Sequence, residues 1–355
     1  MSLRRLNKPH PVASGQRRIR RRDIRLNRQP GDHGEADLRL GIISNPLSGG
    51  NRKGLAAIEA LLARRPEVLH REAQNPDDAA AVVSVFADKN VDVIAVNGGD
   101  GTIQAVLTAL FRDRHYASPP LLAVLRSGTD SVIAEDVGLR GSRDRGLRRL
   151  LDWLEAPAQR FSIQKRPVLR VRTASDRNPR YGLIFGAAAV YQGIEYCKRH
   201  IHALGLHGEI APSLTLARFL LAAVRRDTRI LKPVTVTVRV DQDPPQQSEY
   251  LLIYISTLER LFLGLRPHWG KENAPLHFTA MNARPRHFLR ALPYLARGRT
   301  TPWGTPENGY SSRNAHRIQL TMDSGFILDG ECYRTESHPE SIIVDLGGTA
   351  TFLRL

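Results

Sequence analysis

Cysteine is nearly absent from the chain, with only Cys197 and Cys332 among 355 residues. Two thiols exclude a disulfide framework and do not make a metal site, so a reducing, cytoplasmic setting is expected. Long apolar runs are missing as well. No stretch approaches the roughly 18 residues needed to span a bilayer, and the start of the chain lacks the apolar segment of a signal peptide. Acidic residues are the third shortage, 35 against 52 Lys and Arg, which leaves a formal charge of +17. Such a chain is drawn to anionic partners: nucleic acid, nucleotides or an anionic membrane. The rest is ordinary for a globular protein, with 41% hydrophobic residues and enough length for two cores.

Much of the positive charge sits in residues 1–37, which hold Arg4, Arg5, Lys8, Arg17, Arg18, Arg20, Arg21, Arg22, Arg25 and Arg28. With little apolar periodicity, this stretch reads as a disordered basic arm. An anionic lipid surface attracts such an arm by about 1 kcal/mol per basic residue. Membrane contact therefore ranks ahead of nucleic acid, for which no recognition motif accompanies the charge.

The remainder is organised around Val91 to Thr102, VDVIAVNGGDGT. A short β-branched run predicts a buried strand, glycines let the backbone turn and approach a ligand, and the following residues have helical spacing. Strand, glycine loop and helix N-terminus together make an anion site suited to phosphate. Asp100 within that loop would repel phosphate unless it binds a metal or serves the nucleophile, so the loop reads as catalytic. Leu38 to Ser44 and Leu121 to Leu125 predict further strands, each followed by a polar loop, Asn45 to Gly54 and Arg126 to Ser131. Between them Asn75, Pro76, Asp77 and Asp78 mark a helix start. Strands alternating with helices indicate a parallel sheet, whose ligands bind at the carboxyl ends of the strands, where all three loops lie.

From about Phe161 strands follow one another, including Val168–Arg172, Val234–Val240, Tyr250–Ser256, Leu276–Met281 and Arg317–Met322. That succession predicts an antiparallel second domain. Residues 191–226 read as a helical insertion, and Leu214–Val224 is its most apolar part, suited to a core or to a greasy entrance for lipid. Asp329 and Glu331 flank a glycine after an apolar strand; on extended backbone both would face one site. Ser341 to Leu355 predicts two closing strands around a hairpin at Gly347-Gly348.

These motifs, in this order, resemble the diacylglycerol kinase catalytic-domain family of lipid kinases. Asn97–Thr102 matches the family's NGGDGT loop, Asn45-Pro46 with Ser48-Gly49 its first loop, Gly128-Thr129 its third, and Asp329-Gly330-Glu331 its late acid motif. GGDGT alone also occurs in nicotinamide-dinucleotide kinases, but the Asn-Pro loop and the late Asp-Gly-Glu favour the lipid kinases. The chain departs from the pattern at Gln104-Ala105, where the family has Asn-Glu, and at Ser131-Val132, where it has Asn-Asp.

The resemblance implies an α/β fold: a Rossmann-like parallel-sheet nucleotide domain over 38–160 plus an antiparallel β-sandwich domain over 161–340, with closing strands at 341–355. Asn45, Ser48, Gly98, Gly99, Asp100, Gly101, Thr102, Ile103, Gln104 and Thr129 would hold ATP. Asp100 would act through Mg2+ or orient the acceptor, and Glu331 or Asp329 would take the hydroxyl proton. Glu272 lies next to the family's structural magnesium position. The implied activity is transfer of the γ-phosphate to a lipid alcohol, diacylglycerol-like or ceramide-like, by a cytoplasmic protein peripheral at the inner face of the membrane. A kinase fold kept for binding nucleotide or lipid is the alternative. No specific nucleic acid partner is expected, and a homodimer is left open.

Overall fold

The computed structural model describes residues 38–52, 54–127, 131–155, 161–196, 232–261, 264–335 and 339–354, and the backbone of 17–19. After β1 (Arg17–Ile19), strands and helices alternate: β2 (Leu40–Ser44), α1 (Ala56–Leu62), β3 (Leu69–Glu72), α2 (Pro76–Asp88), β4 (Val93–Gly98), α3 (Asp100–Thr108), β5 (Leu121–Arg126), α4 (Val132–Val137) and α5 (Arg143–Glu155). Strands then dominate: β6 (Phe161–Thr173), β7 (Arg180–Gly182), β8 (Ile184–Ala188), α6 (Ala189–Tyr196), β9 (Val234–Val240), β10 (Gln246–Ser256), β11 (Leu276–Asn282), α7 (Phe288–Leu295), β12 (Tyr310–Ala315), β13 (Arg317–Met322), β14 (Phe326–Leu328), β15 (Glu331–Tyr333) and β16 (Glu340–Arg354).

In the first half, β3, β2, β4 and β5 pair in parallel, in that order. Every residue of β4 is buried, and its alternation splits between two cores. Ile94 and Val96 join the cluster under α2 and α3, whereas Val93 and Ala95 join the cluster containing Leu147, Leu150 and Trp153 of α5. A strand covered on both faces needs apolar residues at both parities, which is why its sequence reads as a continuous run. Helix α2 starts as its sequence predicts: Asn75 Oδ1 accepts from the Asp78 N–H at 2.9 Å, with Pro76 in the first turn.

The later strands pair antiparallel about a separate core that includes Phe185, Ile253, Phe278, Leu320, Phe326 and Val344. β16 joins the two parts. Its end pairs in parallel with β5, and along most of its length it runs antiparallel to β6, from Ile342 opposite Thr173 to Arg354 opposite Ser162. The structure therefore has an α/β layer with a parallel sheet and an antiparallel β part, the expected fold class.

Two expectations are corrected here. Gly347-Gly348 is not a hairpin turn; β16 is one strand with a register shift between Leu346 and Gly348. The glycines serve close packing instead, since a Cβ on Gly347 would lie 2.7 Å from the Tyr181 ring and one on Gly348 2.5 Å from Phe111. The basic arm is also not wholly without structure, because Arg17–Ile19 adds to the edge of β6 opposite Phe161, Ser162 and Ile163. The apolar segment Leu214–Val224 lies outside the described residues.

Candidate active site

Three loops meet at the carboxyl ends of β2, β4 and β5. The first leaves β2 at Asn45, whose N–H donates to Asn97 O at 2.9 Å and whose Nδ2 donates to Thr102 Oγ1 at 3.1 Å. Ser48 Oγ donates to Asn45 O at 3.0 Å, and buried Asn51 donates to both Asn45 O and Asn97 O. Arg143, from α5, clasps this loop through Gly50 O at 3.1 Å and Asn51 Oδ1 at 2.7 Å. The first and third loops are in contact, for a Cβ on Gly50 would overlap Ser127 O. Beneath them Ser127 Oγ donates to Asn97 Oδ1, Asn97 Nδ2 donates to Ser44 Oγ, and Ser44 also meets His70 Nε2 at 2.9 Å. This buried polar chain holds the strand ends in register from β5 to β3.

The glycine loop turns from β4 into α3, with Gly99 as the residue that begins the helix. The N–H groups of Thr102 and Ile103 bond back to Gly99 O, and Thr102, Ile103 and Gln104 are all buried. Gln104 Nε2 donates to Thr108 Oγ1 at 3.2 Å, so its side chain belongs to the packing of α3. Gly99 and Gly101 are half-buried, so the loop leaves their backbone more accessible than the side chains of Ile103 and Gln104. Ala105 is buried in the core beneath α2 and α3.

Asp100 points across to the third loop. Its carboxylate accepts from Ser131 Oγ, from the Val132 N–H at 3.0 Å and from the Ile133 N–H at 3.3 Å. These are the first donors of α4, and Ser131 Oγ itself accepts from the Ala134 N–H at 3.1 Å. Asp100 and Ser131 thus cap α4 jointly, a role open to a carboxylate at a helix N-terminus. Serine stands where the family pattern has Asn, and it ties the third loop to the glycine loop. Thr129, with Gly128 and Asp130, lies outside the described residues. Glu135 is exposed on α4.

The late acid motif reaches the same place from more than two hundred residues away in sequence. Leu328 pairs with Glu331, so Asp329 and Gly330 are the two turn residues of the β14–β15 hairpin, at φ +48° and +83°. This is the tight turn that Asp-Gly favours. Asp329 and Glu331 therefore do not share a face, as extended backbone would require. Asp329 is 1% exposed and accepts from the N–H groups of Leu183 and Ile184 at 2.8–3.1 Å. Glu331 is exposed and stands beside the glycine loop; a Cβ on Gly101 would lie 2.5 Å from its Oε1. Glycine at 101 is what lets that carboxylate approach.

Burial drives the Asp329 pKa well up from the ordinary carboxylate value, with the Asp100 charge adding to the shift and the Leu183 and Ile184 N–H groups opposing it. Between the ordinary and raised values the folded protein keeps a proton that the unfolded chain has released. Stability from this group consequently falls as pH rises through that window. Asp329→Asn keeps an acceptor for the two N–H groups and removes the titration. Its melting temperature should gain on the wild type as pH rises, and a difference constant with pH would contradict this assignment.

Glu272, expected near a structural metal, accepts from the Asn314 N–H at 2.8 Å in the turn before β11. Among the described residues no three His, Cys, Asp or Glu side chains converge as a metal site. Arg143 is the contributor that sequence reasoning did not single out; Asn97 was read only as part of the glycine-loop motif, and Ser131 only as a departure from the family pattern. Ser131 had a visible signal, being a capping residue just ahead of a short apolar run.

Residues 39–160 match the model of the diacylglycerol kinase catalytic domain. A diacylglycerol kinase structure from Bacillus anthracis str. Sterne superposes with a TM-score of 0.55 at 16% identity, covering 90% of this chain and 97% of that one. A second structure from the same strain, named provisionally as a diacylglycerol kinase, gives 0.59 at 16% identity over 90% and 98%. At such identities the likeness is one of fold. No curated protein matches the chain. The glycine loop and the capped third loop both fall within the matched span: over residues 39–160 the chain is similar to the diacylglycerol kinase catalytic domain, and the whole chain shares the α/β-plus-antiparallel fold of the structures that superpose on it.

Proposed function

We propose that the protein is an ATP-dependent lipid kinase, transferring the γ-phosphate of ATP to the hydroxyl of a lipid alcohol. The observation that carries this reading is the approach of Glu331 to Gly101, which sets a solvent-accessible carboxylate beside a phosphate-type loop. Phosphoryl transfer asks for placed phosphates, neutralised charge and one group to accept the acceptor's proton. The backbone around Gly99 and the start of α3 suit the phosphates. Glu331 is the group placed to take the proton; Asp329, buried and bonded to backbone, supports the hairpin that presents it. Asp100 holds the third loop against the glycine loop. Asp100 and Glu331 are the carboxylates at this loop that would hold magnesium, which would neutralise phosphate charge.

The glycine loop offers a direct check on where phosphate binds. Gly99 has φ −85° and ψ −174°, which any residue adopts, and a Cβ built there meets nothing within 4 Å. Gly99→Val should therefore melt like the wild type. It should lose roughly tenfold or more in ATP affinity by calorimetry, since the branch stands where the phosphate approaches. Unchanged affinity would move the phosphate elsewhere.

A second reading rests on Asp100, whose carboxylate is already engaged by three donors, Ser131 and the first two residues of α4, and on Ala105, buried where the family has a carboxylate. On that reading the fold binds nucleotide or lipid without turnover. Offering γ-labelled Mg-ATP together with vesicle-borne diacylglycerol, ceramide and soluble NAD separates these readings. Label in a lipid supports the proposal, label in NAD refutes the lipid acceptor, and binding without label supports the second reading.

A further inference from the structure

The segment from Ala283 to Gly304 carries Arg284, Arg286, His287, Arg290, Arg297 and Arg299 and not one Asp or Glu. Its helix, α7, packs one face inward, where Ala291 and Leu295 are buried with Tyr310 beside Trp269, Met281 and Trp303. The outward face breaks the pattern of a solvated helix. Leu289 is 64% exposed, Tyr294 is 45% exposed and Pro293 is exposed, with Arg290 between them. Positions 289 and 293, and 290 and 294, are one turn apart, so the face presents two adjacent rows with three apolar residues to one cation. Two of the five large hydrophobic side chains left exposed among the described residues lie on these eight positions, which sets this helix apart from the remaining surface.

All five arginines are exposed around that face. Arg297 also bonds Pro293 O at 2.8 Å, which fixes it at the helix C-terminus. Tyr294 lies 6.2 Å from Trp303, so aromatic rings with polar edges stand at the same rim.

We propose that this face of α7 docks on an anionic lipid bilayer. Apolar side chains ringed by arginines are the composition of an interfacial helix: the apolar groups enter the headgroup and acyl boundary while guanidiniums pair with lipid phosphates. A second copy of this chain is a poor occupant, since a chain of formal charge +17 brings an acid-free arginine rim against its own repulsion. The residues of this face belong neither to the basic segment 1–37 nor to the glycine loop or the late acid motif. It stands whether or not a lipid is phosphorylated, because binding is read without turnover.

The test is flotation of the full chain with vesicles of phosphatidylcholine alone or mixed with phosphatidylglycerol, at low and high salt. Variants are Leu289→Glu/Tyr294→Glu and Arg286→Glu/Arg290→Glu, with melting curves to confirm folding; Leu289→Ser/Tyr294→Ser replaces the first if it does not fold. The wild type should bind the mixed vesicles, and added salt or omission of phosphatidylglycerol should weaken that binding. Each double variant should bind about tenfold more weakly or worse. The proposal is overturned if either folded variant binds like the wild type, if the wild type binds neither vesicle, or if neutral vesicles bind equally well. It is also overturned if sedimentation shows the apolar variant losing self-association while keeping vesicle binding.

Discussion

Glu331→Gln should lower phosphoryl transfer roughly 100- to 10,000-fold while leaving ATP affinity close to that of the wild type. The expectation follows from the position of the carboxylate. It sits on the first residue of β15, beside Gly101 but outside the glycine loop itself, so on the proposed reading it would serve the acceptor and not the backbone that would hold phosphate. Glutamine keeps the size and a hydrogen-bonding end and loses only the capacity to accept a proton as a carboxylate. Steady-state transfer with nucleotide titration in parallel measures both quantities. A large loss of ATP affinity with kcat unchanged would place Glu331 on the nucleotide and remove its assigned role.

The second large effect is on stability and arises where the α/β layer meets β6 and β16. Arg166 and Asp136 pair at 2.8 Å with side chains 2% and 4% exposed, and Arg166 also meets Glu259 at 3.1 Å. Arg354 donates to the carbonyl of Asp136 at 2.6 Å. Removing one member of a buried pair leaves the other charged and without its partner, at a cost of about 3–5 kcal/mol. Arg166→Ala should lower stability by that amount in denaturant unfolding. Burial already pushes the Asp136 pKa upward against the pull of Arg166, so in the variant the folded state binds a proton more readily than the unfolded chain. The deficit of Arg166→Ala should therefore shrink as pH falls toward the carboxylate range. A loss below about 1 kcal/mol, the scale of a surface pair, would show that the site is effectively solvated.

Much of the α/β layer was legible because each signal was local. The β-branched run of β4, the glycines after it and the Asn75-Pro76 helix start each dictate backbone within a few residues. The three polar loops were legible as a group because strand and helix alternation puts them at one sheet edge. What the sequence did not reveal was pairing over distance. Gly347-Gly348 looks like a turn until Tyr181 and Phe111 are known to press on it. Asp329 and Glu331 look alike until the two-residue hairpin turns one inward and the other toward Gly101. Asp100 looked committed to a ligand, whereas the start of α4 occupies its oxygens, and Arg143 gave no local sign that it clasps the first loop. Each of these depends on a partner between 30 and 240 residues away in sequence, where periodicity and propensity carry no information.

The central claim is that the glycine loop and Glu331 form a site that transfers phosphate rather than one that only binds it. The most direct measurement is a single-turnover experiment, with protein in excess over γ-labelled Mg-ATP, mixed with a total lipid extract and partitioned into organic solvent. Label should move into the lipid phase as ATP is consumed, and chromatography of that phase then names the acceptor. ATP that stays bound and intact, with no label in lipid, would rule out transfer and leave a fold used for binding.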